Sequence, residues 1–214
     1  MIRTLWCSPG VFMAKVDNDL VVLDIDKDAY HCMLATADAL RLGNDGALTT
    51  RSAELADALL DAGLALPTAP AQLRLAPISA ERELSSPSAP QRVKLARVAI
   101  AWGAAALAFQ GKPLKDLIRF GNTCRRDDSA CDETFLCELV GAARIARSWM
   151  PFEGECLQRS FQLRCILAER GIAADWIFGV RTWPFNAHCW LQRGDLVIGD
   201  RLARVRRYTP IMRV

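Results

Sequence analysis

Cys156 is the residue in this sequence best placed to act as a nucleophile. It follows the breaker-rich run PFEGE at 151–155 and opens an amphipathic helix with Leu157, Phe161, Leu163 and Leu167 available for burial. A thiol in the first turn of a helix feels the positive end of the backbone dipole and its unpaired N–H groups. Such sites bring a cysteine pKa into the range of roughly 3.5–7.5. The proton must be carried by a base, and the chain holds two histidines, His31 and His188. His31 lies in the N-terminal third, where a packed or surface role is the simpler account. His188 stands in the β-like run AHCWLQ, followed by a turn and LVIGD. If residues 193–195 form a three-residue hairpin loop with Gly194 at positive φ, His188 opposes Asp200 and shares its face. A carboxylate there fixes the imidazole tautomer and steadies the imidazolium. A two-residue loop would put the two on opposite faces. Cysteine, histidine and acid together are what thiol catalysis needs, but any chain of this length offers one of each, and buried helix cysteines are common.

The surrounding pattern supplies elements to hold these residues. Helical periodicity covers 92–110, 114–120, 132–147 and 156–170, and a shift to β-like runs follows at 174–181, 187–192 and 196–200. The first third reads differently. Runs at 11–16, 20–26 and 29–33 are short strands, followed by helices at 34–42 and 52–60, the second with Ser52 as N-cap. Between 67 and 90 the prolines at 67, 70, 77, 87 and 90 exclude a continuous helix. This stretch is expected to be a linker with one short ordered piece at 72–75. The fold class is therefore α+β, with a small unit at 1–66, the linker at 67–90 and a larger domain at 91–214. No internal repeat is visible.

Composition narrows the function classes. A net charge of +3 on 214 residues is too small to argue for nucleic acid. Residues 1–66 carry a balance of −5 and the rest +8, with Arg201, Arg204, Arg206, Arg207 and Arg213 in the last fourteen residues, read as a solvated rim. The N-terminus lacks a signal-peptide core, and the longest apolar run, 98–109, is about half of the roughly 20 residues a membrane helix needs. It reads as a buried helix, and the chain is expected in the cytoplasm without a membrane partner. Eight cysteines with no CxxC pair make no disulfide framework. Cys124, Cys131 and Cys137 are spaced unlike the common zinc patterns, so no metal is expected, and most cysteines should be inert small hydrophobes. No phosphate loop appears, and no cofactor is expected.

The residues Cys156-Leu157-Gln158-Arg159-Ser160, then Pro184-Phe185-Asn186-Ala187-His188-Cys189-Trp190, then Asp200, resemble the lasso peptide biosynthesis B protein family, whose members are similar to transglutaminase-like, papain-related cysteine proteases. The resemblance implies Cys156 as nucleophile, His188 as general base and Asp200 as the residue orienting it. Cys189 departs from the small residue often seen there. Asp19–Asp24, Tyr30 and the run LLDAGL at 59–64 resemble the family's precursor-recognition domain, related to winged-helix units. This implies a small three-strand winged-helix-like recognition domain fused to a papain/transglutaminase-like domain of helices and antiparallel sheet. A leader peptide would add as a strand beside the third strand, in a groove closed by the last helix, with Tyr30, Cys32, Leu55 and Leu59 lining it. Plain core packing accounts equally well for the leucines. The implied activity is a leader peptidase that cuts the leader–core bond of a ribosomal precursor peptide and hands the core to an ATP-dependent lasso cyclase. The backbone N–H of Cys156 and a donor from the preceding loop would hold the oxyanion, with Gln158 or Glu155 as contributors. Acyl transfer of transglutaminase type and a non-catalytic peptide-binding chaperone are the alternatives.

Overall fold

The structure is a computed structural model describing residues 2–71, 74–85, 92–121, 132–149 and 154–214. The chain divides into two compact units, residues 1–77 with 178–187 and 208–213, and residues 78–177 with 188–207 and 214. These differ from the linear division read from the sequence, because two late segments group with the N-terminal part.

The first unit is richer in strands than expected. β1 (Arg3–Cys7), β2 (Val11–Val16), β3 (Asp19–Asp24) and β4 (Ala29–Met33) precede β5 (Leu40–Leu42), β6 (Ala47–Thr50), α1 (Ala53–Asp61) and β7 (Ala65–Leu66). β2, β3 and β4 form an antiparallel three-stranded sheet, the three strands read from the sequence. Its β3–β4 turn is closed by the Asp24 carboxylate, which accepts the N–H groups of Asp26 and Lys27. β5, β6, β1 and β7 make a second sheet. The helix expected at 34–42 is not formed. A short 3-10 turn at Ala37–Ala39 leads into β5, where Leu40 pairs with Thr50 and is fully buried. Pairing and burial of Leu40 outweigh a weak helical preference. The winged-helix likeness is reduced accordingly, since residues 1–66 hold one α-helix. That helix begins at the expected cap: Ser52 accepts the Leu55 N–H. Leu59 and Ala56 enter a core with Leu5, Leu20, Leu40 and Leu48, against which Leu55 also packs.

The described residues of the proline-rich stretch are more ordered than a linker. The Arg74 guanidinium donates to the carbonyls of Cys7, Ser8 and Val11 and lies 4.5 Å over the Phe12 ring. Gln72 and Leu73, half of the expected ordered piece, fall outside the described residues. Further on, β8 (Arg82–Glu83) joins a sheet.

In the second unit the expected helices appear as α2 (Leu95–Phe109), α3 (Leu114–Gly121), α4 (Glu133–Ser148) and α5 (Cys156–Glu169). In chain order β9 (Asp175–Arg181), β10 (Asn186–Arg193) and β11 (Leu196–Ile198) follow, then a short helix α6 (Leu202–Val205) and β12 (Thr209–Arg213), with residues 178–187 and 208–213 belonging to the first unit. The sheet order is β12-β9-β10-β11-β8, with β8 parallel to β11. α2 buries Val98, Trp102 and Ala105 but leaves Ile100 74% and Leu107 71% exposed, so the apolar run is buried on one face alone. The arginine-rich tail is likewise no simple rim. It contains β12 with Ile211 and Met212 buried, and Arg206 donates to the carbonyls of Ala80 and Glu81. Among the described residues no helix is long and apolar enough to cross a membrane.

Candidate active site

The first turn of α5 projects Cys156, and the body of the helix is fixed by aromatic packing. Phe161 is fully buried, its ring 5.8 Å from those of Phe109 and Phe120 and 6.0 Å from that of Trp176 on β9. These contacts lock the helix against the sheet and α2, which fixes where its N-terminus points. Glu155, the N-cap, makes no side-chain cap hydrogen bond. The Glu155 side chain thus does not occupy the first-turn N–H groups.

His188 and Asp200 meet, by a route the hairpin argument did not foresee. The observed register pairs Leu191 with Ile198, Gln192 with Val197 and Arg193 with Leu196. That is a two-residue loop of Gly194 and Asp195, with Gly194 at φ +58, as the first position of a type II′ turn requires. A continued strand would carry Asp200 away from the imidazole. Instead β11 ends at Ile198, and Gly199 at φ +76 turns the chain. Asp200 is redirected so that its Oδ2 accepts from His188 Nε2 at 2.5 Å. Asp200 also accepts the Arg201 N–H at 2.7 Å and lies 3.6 Å from the Arg204 guanidinium. The hairpin register was wrong and the contact right, because a glycine outside the ladder supplied the bend.

With Nε2 engaged, the other ring nitrogen is left for the sulfur, and the Cys156 side chain is in hydrogen-bonding contact with the His188 ring. The Cys156 thiol is pushed down to about 4. The thiol of Cys189 contributes most by donating to it; burial opposes; the His188 hydrogen bond, the Cys189 backbone N–H and the imidazolium charge add to the lowering. For His188 the largest influence, burial, disfavours the charged ring, but hydrogen bonds to Asp200 and Cys156 and the charges of both raise it to about 9. Burial likewise pushes Asp200 up, and the His188 hydrogen bond, the Arg201 N–H and nearby cations bring it below the ordinary carboxylate value. Between about pH 4 and 9 the pair is therefore a thiolate and an imidazolium.

Cys189, Ser160 and Trp176 were not read from the sequence as site residues. Burial first, then the neighbouring Cys156, keeps Cys189 a thiol with its pKa well above 9.0. Its sulfur is 3.3 Å from Ser160 Oγ, which donates to the Cys156 carbonyl at 2.7 Å and accepts the Trp176 indole N–H at 2.8 Å. One signal was available: Ser160 lies four residues after Cys156, on the same helix face.

The peptide-binding expectations fare unevenly. Tyr30 and Cys32 lie on β4, an edge of its sheet, and Cys32 is exposed. The Tyr30 ring is 5.6 Å from that of Phe185, within the same unit, while Trp183 donates to Asp19 Oδ2 at 2.8 Å. Leu59 is sealed in the core at 1% exposure and Leu55 packs on that core. α1 lies against β1, β6 and β7, so the two leucines offer no open groove wall beside β4. His31 is exposed on β4 and remote in sequence from the site. Cys7 and Cys137 are buried, while Cys124 and Cys131 lie outside the described residues; among those described, no group of side chains could hold a metal ion. Gln158 is half-buried and Glu155 exposed, and the loop at 151–153 expected to supply a second oxyanion donor is also outside the described residues.

A pocket opens at this constellation, lined by Cys156, Ser160, His188, Cys189 and Asp200 together with side chains from α2, α4 and α6. Residues 94–213 match the transglutaminase-like superfamily. A stretch of 49 residues is 45% identical to the microcin J25-processing protein McjB of Escherichia coli, covering 23% of this chain and 24% of that protein. The matched stretch thus spans about a quarter of the relative's length. No solved structure matches the chain.

Proposed function

The chain belongs to the transglutaminase-like superfamily, and from that premise we propose that it is a leader peptidase of lasso peptide maturation, acting through Cys156, His188 and Asp200. The observation that carries the reading is one imidazole held between a carboxylate at 2.5 Å and a thiol pushed down to about 4, at the wall of a pocket. The resemblance to lasso peptide biosynthesis B proteins and the stretch shared with McjB support the substrate class.

In this mechanism the Cys156 thiolate attacks the carbonyl carbon of the leader–core bond. The developing oxyanion takes the backbone N–H of Cys156, with a second donor close by. His188, already an imidazolium, gives its proton to the departing core amine, and the leader stays behind as a thioester. The neutral imidazole then takes a proton from water, whose oxygen attacks the thioester. The leader leaves with a new carboxylate, and the ion pair is restored. Asp200 holds the ring through both proton transfers and stabilises its charged form.

Residues 1–66 hold the leader. The exposed side of β4 accepts it as an added strand, with Tyr30 and Cys32 beside it. The freed core amine passes to an ATP-dependent cyclase. The test is Cys156→Ala with the precursor followed by mass spectrometry: no leader release is expected, and undiminished cleavage sinks the proposal. Product mass separates hydrolysis from acyl transfer, and leader binding without thiol-dependent turnover would mark a chaperone.

A further inference from the structure

The catalytic pocket carries more positive charge than the proposed reaction uses. On α4 the residues facing it are Val140, Ala143, Arg144 and Arg147, spaced three, four and seven apart, so one stripe of the helix forms a wall ending in two guanidinium groups. On α5 the same spacing brings Arg159 to the pocket one turn beyond Cys156, and α6 adds Arg204. Asp200 is the single acid among the described residues lining it, and it is already committed to His188 and Arg204. Among the described residues, the Arg147 Nε is buried without a hydrogen-bond partner and no ion pair engages Arg144 or Arg147. A buried guanidinium N–H with nothing to donate to is costly unless an acceptor arrives with a ligand.

We infer that the Arg144–Arg147 wall is a subsite for a carboxylate side chain of the peptide substrate close to the scissile bond. The pocket volume of about 120 Å³ suits one side chain and falls below the roughly 300 Å³ at which larger ligand sites begin. That favours a carboxylate on the peptide over a nucleotide. Guanidinium forks match a carboxylate bidentately, which orients as well as attracts. The inference deepens the peptidase reading and rests on it.

Two small reagents test it without knowledge of the precursor. Iodoacetate and iodoacetamide alkylate the same thiolate and differ in carrying a carboxylate or a neutral amide. The ratio of their rates at Cys156 is measured by mass spectrometry on the intact protein, with exposed Cys32 as internal reference. The ratio at Cys156 is expected to exceed that at Cys32. It should fall roughly threefold per charge removed in Arg144→Gln and Arg147→Gln, be largely retained in Arg144→Lys, and shrink with salt. Normalising by the iodoacetamide rate in each variant removes any loss from misfolding. A ratio equal to that of Cys32, or unmoved by both glutamine variants, overturns the subsite. Loss of the preference in inorganic phosphate, but not in chloride of equal ionic strength, would assign the wall to phosphate and overturn the carboxylate. Failure of Cys156 to react with either reagent would instead overturn the thiolate on which both proposals depend.

Discussion

Lowering the pH should leave alkylation of Cys156 almost untouched while silencing the other thiols. A thiol at the ordinary value of 9.0 is about 1% ionised at pH 7 and about 0.03% at pH 5.5, because each unit is tenfold. Cys156, at about 4, is almost wholly thiolate at both. Nucleophilicity opposes this gain: with a Brønsted slope of about 0.45, five units of lowered basicity slow the thiolate roughly 200-fold. At pH 7 the two effects nearly cancel, and Cys156 labels about as fast as a free cysteine. At pH 5.5 ionisation wins, and it should label roughly fifteen times faster. The assay is iodoacetamide labelling at about pH 5.5 and 7.5, with Cys156 and Cys32 resolved by peptide mass spectrometry. Burial, then the nearby Asp19 carboxylate, raises the Cys32 pKa, so its rate should climb about a hundredfold over the interval while that of Cys156 stays flat. A Cys156 rate rising tenfold per unit, in step with Cys32, refutes the ion pair. Labelling at neutral pH alone decides nothing.

Three further outcomes follow from the same geometry. Replacing Asp200 with Asn removes the charge that sustains the imidazolium, so the alkaline limb of kcat/KM, set by His188 at about 9, should move down by about one unit or more. Cys189→Ala removes the strongest donor to the nucleophile, so the acid limb should move up by roughly one unit while the alkaline limb moves less. Both are read from pH–rate profiles, and a fixed limb contradicts the assignment. Gln192, 1% exposed, donates to the carbonyls of Ile78 and Gly194 and accepts the Trp190 indole N–H. Gln192→Leu strands the buried Trp190 indole N–H and removes the donor to the part-buried carbonyls of Ile78 and Gly194, and should cost about 1–3 kcal/mol, a fall in Tm of about 2–12 °C; an unchanged Tm would show that those groups find other partners.

The helical half of the second unit was legible because its signals are local. Asp132 caps α4 by accepting the Thr134 N–H, and breakers flank α5. Cys156 could be placed in a first turn from chain pattern alone. Asp200 illustrates the opposite case. A pairing argument presumes that a strand continues, and one residue at positive φ cancels it. Cys189 escaped for a related reason: alternation sends neighbours on a strand to opposite faces, yet its thiol and backbone N–H both reach the sulfur that His188 also meets. The arginine lining of the pocket was invisible because Arg144 and Arg147 on α4 meet Arg159 on α5 and Arg204 on α6, three helices separated in sequence. In the N-terminal unit, the run 34–42 reads as a helix although Leu40 and Leu42 also fit strand alternation, and pairing with β6 decides between them.

The first unit is completed by residues 178–187 and 208–213. Translation delivers a chain from its N-terminus at about 5–20 residues per second. The opening strands therefore emerge early and must wait for nearly the entire polypeptide before Trp183 can reach Asp19 and Phe185 can cover Tyr30. A gene divided after the proline-rich stretch would yield a front half that lacks two of its own pieces, to be regained only by meeting the other product.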